Sequence, residues 1–171
     1  RSLHNKGELD ELLNLIIKEK NNLETNIPIA LKVSPDIEDN NISEITELLL
    51  KYNLEIVIVS NTTDRNRDNL KNINKLEKGG LSGKPLEKKS NLLINKFYKN
   101  LKDKIKIIGV GGVDSGAGAY EKFISGASLV QLYTSMVFKG PDIASTISNE
   151  LVDILNDKGA KNISEIIGTK N

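Results

Sequence analysis

The sequence contains no cysteine and no tryptophan, and it holds one histidine, one methionine and four prolines in 171 residues. Without cysteine there is no disulfide, no thiolate nucleophile and no thiolate metal site within it. The single histidine, His4, stands among polar residues near the start and reads as a solvated side chain rather than a general base. No HExxH, paired histidine or carboxylate cluster at ligand spacing occurs, so no metal is expected. An excess of one charge is also missing: 24 basic and 23 acidic side chains leave a formal charge of +1, with the signs interleaved. That gives no electrostatic reason to expect nucleic acid or an anionic membrane as a partner of these residues. No run approaches the roughly 20 apolar residues that span a bilayer, and RSLHNKGELD carries no apolar stretch of a signal peptide. The length suits one compact domain.

What is present is an alternation of helical and strand patterns. Leu9, Leu12, Leu13, Ile16 and Ile17 line one face of an amphipathic helix. IALKVSP follows Pro28 as a short strand, and Asn41 with Glu44 forms a capping box ahead of a second helix through Ile45, Leu48 and Leu49. LEIVIVSN (54–61) has the composition of a strand buried on both faces. A long polar stretch follows, with residues 64–78 lacking any clear period. Loops of this length are lids, binding loops or disordered. Arg65, Arg67 and the pair Lys88-Lys89 read as solvated there and at the next helix start. Ser90 is placed to cap a helix through Leu93, Ile94, Phe97 and Leu101. IKIIGV (105–110) is a third strand, a short helix follows, and SLVQLYT ends a fourth. Pro141 suits the first turn of a last long helix carrying Ile143, Ile147, Leu151 and Ile154, and Asn162 with Glu165 can cap a short one.

Strands near 29–34, 54–60, 105–110 and 128–133, each followed by a helix, make an α/β fold with parallel strands joined by right-handed crossovers. Two closures fit: an open doubly wound sheet, or about half of a (β/α)8 TIM-type barrel, in which case this chain supplies only four of eight units. In both, ligands gather at the carboxyl ends of the strands. Those ends read Lys32-Val33-Ser34-Pro35, Ser60-Asn61-Thr62-Thr63, Gly111-Gly112 and Tyr133-Thr134. A lysine, an asparagine among hydroxyls and bare backbone amides suit anionic oxygens. The alternative at each is structural: a Gly-Gly is more often a tight turn, and a strand-end Asn or Thr a cap. Lys32, inside an apolar strand, is expected to be buried and so to need a partner or lose its charge. If the last two strands are the last two of a barrel, Gly111-Gly112 and Tyr133-Thr134 lie side by side at that fold's recurrent phosphate site. An FMN, a sugar phosphate or pyridoxal phosphate would fit equally. GGVDSG is not in the register of GxGxxG and does not argue for a dinucleotide fold.

Read together, "LKVSPD" (31–36), "VSNTT" (59–63), "GGLSGKPL" (79–86), "IIGVGGV" (107–113) and "GASLVQLYT" (126–134) resemble, in order, the second half of a class 2, quinone-linked dihydroorotate dehydrogenase. The resemblance runs from "RSL" at the start to "IG" at 167–168. It implies a (β/α)8 barrel holding FMN, with residues 1–171 as the C-terminal part of one FMN-binding barrel domain. It implies oxidation of dihydroorotate to orotate in pyrimidine synthesis, with a quinone as acceptor. Carried over by motif, Lys32 reaches the flavin ring, Ser60 hydrogen-bonds flavin from a position often Thr in relatives, and Ser82 with Gly83 closes over the cofactor. Asn61 and Thr62 bind the orotate edge; Gly111, Gly112, Tyr133 and Thr134 hold the FMN phosphate. The family's catalytic base is a serine that falls before Arg1, and its first half-barrel and membrane-associating helices have no counterpart here. The resemblance further implies a monomer on the cytoplasmic face of a bacterial inner membrane, or on the mitochondrial inner membrane, and a chain not competent by itself. Two rival readings stand beside it: another FMN or phosphate-binding barrel enzyme, and a non-catalytic half-barrel.

Overall fold

In the computed structural model, which describes residues 5–65 and 67–170, the four apolar runs form strands β1 (Ala30–Val33), β2 (Ile56–Val59), β3 (Lys106–Val110) and β4 (Leu129–Gln131). His4 and the first three residues lie outside the described ones. The strands are parallel and lie in the order β1-β2-β3-β4, each beside the next in sequence. Between and around them run α1 (Lys6–Asn22), α2 (Asp39–Lys51), α3 (Glu87–Leu101), α4 (Gly116–Ile124), α5 (Thr134–Lys139) and α6 (Ile143–Asp157).

Sequential parallel order decides between the two closures. A doubly wound sheet reverses its order at a switch point, whereas right-handed crossovers in unbroken order place every helix on one face. Burial shows this directly. Val33, Val57, Val59 and Ile107 are buried beneath the helices, while their neighbours along the strands, Lys32, Ile56, Ile58 and Ile108, are exposed or half-buried on the opposite face. The fold is half of a (β/α)8 barrel, with the would-be lumen side of its sheet uncovered. β2 is therefore covered on one face and not on both, as its composition suggested, and Lys32 is exposed rather than buried. A run of β-branched residues looks the same whether its second face meets helices or a barrel interior.

The helix side holds two apolar clusters. One packs Leu9, Leu13, Ile45, Leu49, Phe97 and Leu101 against β1, β2 and β3; the other joins α4 and α6 through Phe123, Ile147 and Leu151. Helix starts follow local chemistry. Asn5 Oδ1 accepts from Gly7 N–H at 3.0 Å, and the Ser115 side chain accepts from Gly118 N–H at 3.2 Å. Three expected caps fall differently. α2 begins at Asp39, two residues before Asn41, and α3 begins at Glu87, so Ser90 lies inside it. Pro141 precedes α6, which starts at Ile143. At the C-terminal end Asn162 does cap, accepting from Ser164 N–H at 2.9 Å, but what it opens is a single 3-10 turn, Ile163–Glu165. Among the described residues no helix is long and apolar enough to cross a membrane.

Candidate functional site

A cleft of about 840 Å³ opens at the carboxyl ends of the four strands. Every residue to which the resemblance gives a cofactor or substrate contact lines it: Lys32, Ser60, Asn61, Thr62, Ser82, Gly83, Gly111, Gly112, Tyr133 and Thr134, whereas Val33, Ser34, Pro35 and Thr63 of the strand ends do not. Several lining residues were given no role by the sequence reading, among them Lys84, Asp114, Gln131, Phe138 and Lys139. Gln131 could have been found, because alternation along β4 puts it on the same face as Leu129.

The end of β2 is gripped from both sides. Ser60 N–H donates to Val110 O at 3.2 Å and Asn61 N–H to Val33 O at 2.8 Å, so the turn is held between β3 and β1. Within it the Asn61 side chain accepts from Thr62 N–H at 2.8 Å. Thr62 then lies against Gly80, where an added Cβ would overlap its Oγ1. This close approach brings the loop of GGLSGKPL over the end of β2. Thr63 and Leu81 complete the contact by exchanging both backbone hydrogen bonds, at 3.1 and 2.6 Å.

At the end of β3 the chain turns through Gly112 at φ +77°, where a Cβ would stand 2.8 Å from Glu87 Cα. Only glycine fits both the backbone angle and the gap. A bare, buried strand end beside the start of α5 leaves room for an anionic group to reach main-chain N–H donors. Ser135 Oγ donates to Val113 O at 2.7 Å and Lys139 Nζ to Asp114 O at 2.9 Å, fixing α5 onto the β3 exit. Lys84 Nζ sits 3.1 Å from both Glu87 Oε1 and Asp114 Oδ1, and the Glu87 bond first among several effects raises its pKa. The ammonium is thus charged at neutral pH.

Two side chains read as solvated are structural. Arg67 donates to the carbonyls of Lys75 (3.3 Å), Glu77 (2.5 Å) and Gly79, gathering residues 75–79 around itself after a 3-10 turn at Ile73–Leu76. Lys89 pairs with Asp36 beneath the β2 turn. Among the described residues no group of three His, Asp or Glu side chains is placed to hold a metal.

Comparison with known proteins gives a consistent outcome. The family profile described as Dihydroorotate dehydrogenase matches residues 1–155. The chain is 42% identical over 157 residues to a protein of Vibrio parahaemolyticus named dihydroorotate dehydrogenase (quinone), covering 88% of this chain and 46% of the relative. It is 38% identical to the protein of that name from Trichodesmium erythraeum, covering 100% of this chain and 46% of the relative. Among solved structures it superposes with a TM-score of 0.94 on the Eimeria tenella DHODH crystallised with ferulenol, at 32% identity over 99% of this chain and 50% of that one. The ligand-free form of the Eimeria protein gives 0.94 at 30% identity. The chain spans about half the length of the relatives it matches.

Proposed function

This chain belongs to the dihydroorotate dehydrogenase family, and on that premise we propose that it supplies the cofactor-phosphate site and part of the substrate site of an enzyme that oxidises dihydroorotate to orotate, with a quinone as electron acceptor. The observation that carries this is the convergence of residues from all five motifs, Lys32, Asn61, Ser82, Gly112 and Thr134 among them, on one cleft at the strand carboxyl ends.

The cofactor proposed is FMN, and the residues present fit it. Gly111 and Gly112 offer a side-chain-free floor, closed to any Cβ at Gly112, and Thr134 stands at the start of α5 opposite them. Backbone N–H groups there and at Tyr133 and Thr134 would hold the phosphate; Ser82 and Gly83 would close over it, and Ser60 would hydrogen-bond the ring. Lys32, exposed on the lumen face, would carry positive charge to the ring system. FMN, when bound, would supply the two-electron chemistry that accepts a hydride from the substrate and passes the electrons on to a quinone. Asn61 and Thr62 would hold the carboxylate-bearing pyrimidine, their orientation fixed by the grip of β1 and β3 on that turn. The base that takes the substrate's C5 proton is proposed to be a serine outside these 171 residues, as the family resemblance implies.

Residues 1–171 are accordingly the C-terminal part of a single barrel domain, whose other strands would cover the open sheet face. The row Lys32, Ile58, Ile108 and Leu129 supports this, since it lies in register across all four strands on the face that the helices leave uncovered. The complete protein is proposed to be a monomer touching the cytoplasmic face of a bacterial membrane through its other half. Intact mass and absorbance of the purified native protein test the reading. A yellow, flavin-bearing polypeptide longer than 18.8 kDa supports it, whereas a colourless species of that mass, or oxidation of dihydroorotate by these 171 residues alone at an ordinary enzymatic rate, overturns it.

A further inference from the structure

Asp36 closes the LKVSPD stretch and does not itself line the cleft. Its side chain is only 10% exposed, and its two oxygens collect three donors from two parts of the chain, the turn after β2 and α3. Oδ1 accepts from Thr63 Oγ1 at 2.6 Å and from Lys89 Nζ on α3, and Oδ2 accepts from Asp64 N–H at 3.3 Å. Burial alone would push this carboxyl up; the hydrogen bonds from Lys89 and Thr63 outweigh it and hold the group below its ordinary value. A nearly buried charge is tolerated only when its lone pairs are satisfied in this way, and breaking one bond leaves the remainder exposed to the full desolvation cost.

The consequence reaches the cleft through Thr63. That residue is the hinge between Asn61-Thr62 and the GGLSGKPL loop, because its backbone is paired on both sides with Leu81, the residue before Ser82 and Gly83. Asp36 anchors the side chain of a residue whose backbone anchors the loop. We infer that Asp36 is a positioning residue: by fixing Thr63 it sets the distance between the β2 turn and the Ser82-Gly83 loop, and hence the fit of the phosphate-bearing cofactor between that loop and α5. This rests on the reading of the cleft as an FMN site.

The test titrates FMN, and riboflavin as the phosphate-free control, into the flavin-stripped complete protein and its variants, following quenching of flavin fluorescence at a temperature where circular dichroism shows all of them folded. Asp36→Ala is expected to weaken FMN binding about tenfold, the scale of one charge-assisted hydrogen bond. Asp36→Asn keeps an acceptor for Thr63 Oγ1 and is expected to recover most of that loss. Hydrogen exchange at the Leu81 amide should quicken in the first variant and not in the second. Thr63→Val, which keeps the shape and the backbone pairing, removes the same bond should Asp36→Ala fail to fold, and is expected to weaken FMN about fivefold. A wild type that binds FMN together with Asp36→Ala or Thr63→Val variants within twofold of it overturns the inference alone. A wild type that binds no FMN overturns the cofactor reading as well.

Discussion

Thr134 Oγ1 donates to Ser82 Oγ across 2.9 Å, joining the first residue of α5 to the loop that precedes α3. The two residues are 52 positions apart, and their contact spans the cleft mouth between the second and fourth strand ends. Replacing Thr134 by Val keeps the branched shape and deletes the hydroxyl. The expected result is an FMN dissociation constant raised about fivefold to tenfold, with a smaller change for riboflavin, read by fluorescence quenching.

Gly112→Ala should damage both the fold and the site. The new Cβ would sit 2.8 Å from Glu87 Cα at a φ of +77°, so either the β3 exit or the start of α3 must move. Strain and displacement together are expected to cost about 2 kcal/mol or more. Urea denaturation measures this, and FMN binding by the variant should be lost.

Lys122 gives a prediction in pH. It is fully buried on α4, its ammonium donating to Asn91 Oδ1, and burial lowers its pKa from 10.5 to about 8, against the opposing pull of Glu87. Between those two values the unfolded chain holds more protons than the folded one, so stability rises as pH climbs from about 8 to 10.5. The gain expected is on the order of 3 kcal/mol. Urea midpoints at pH 7, 9 and 10.5 should show the rise. Lys122→Met should abolish it and be the more stable at pH 7, since it removes a buried charge and keeps the alkyl packing. A flat wild-type profile would contradict this account.

Lys32→Met separates stability from redox function. The side chain is exposed on the uncovered sheet face, so unfolding free energy should change by no more than about 0.5 kcal/mol. The midpoint potential of bound flavin should fall by about 30 mV or more, because the positive charge that favours the reduced form is gone. Spectroelectrochemical titration of the flavin-loaded complete protein decides it, and an unchanged potential would remove Lys32 from the proposed site.

Strand positions were legible because short, mostly apolar runs between turn residues have few other uses, and the ends of β1 to β4, three to five residues long, fall within about two residues of the sequence reading. The cleft was legible because strand carboxyl ends converge in any parallel sheet. What the pattern of apolar residues in the sequence could not reveal was which face of each strand is covered, and Lys32 was misread on that account. Asp36, Lys89 and Arg67 were missed for another reason. Their partners are 53, 27 or 8 to 12 residues away in positions that carry no period, so each looks like an ordinary loop charge until the turns fold. Ser90 shows the limit of cap rules: its hydroxyl donates to Val110 O at 2.5 Å, tying α3 to the β3 exit instead of opening a helix.

The bare face of the sheet also constrains how it can be completed. Along β4 only Leu129 and Gln131 point to it while Val130 points to the helices, and along β1 only Ala30 and Lys32 do. Since side chains alternate at every step, a slip of one residue where a further strand joins either edge would bring that strand's helix-facing side chains inward. The two outer strands of this chain are therefore templates as well as walls: they dictate the phase of whatever sequence lies beside them, and errors of assembly should appear first at those two seams.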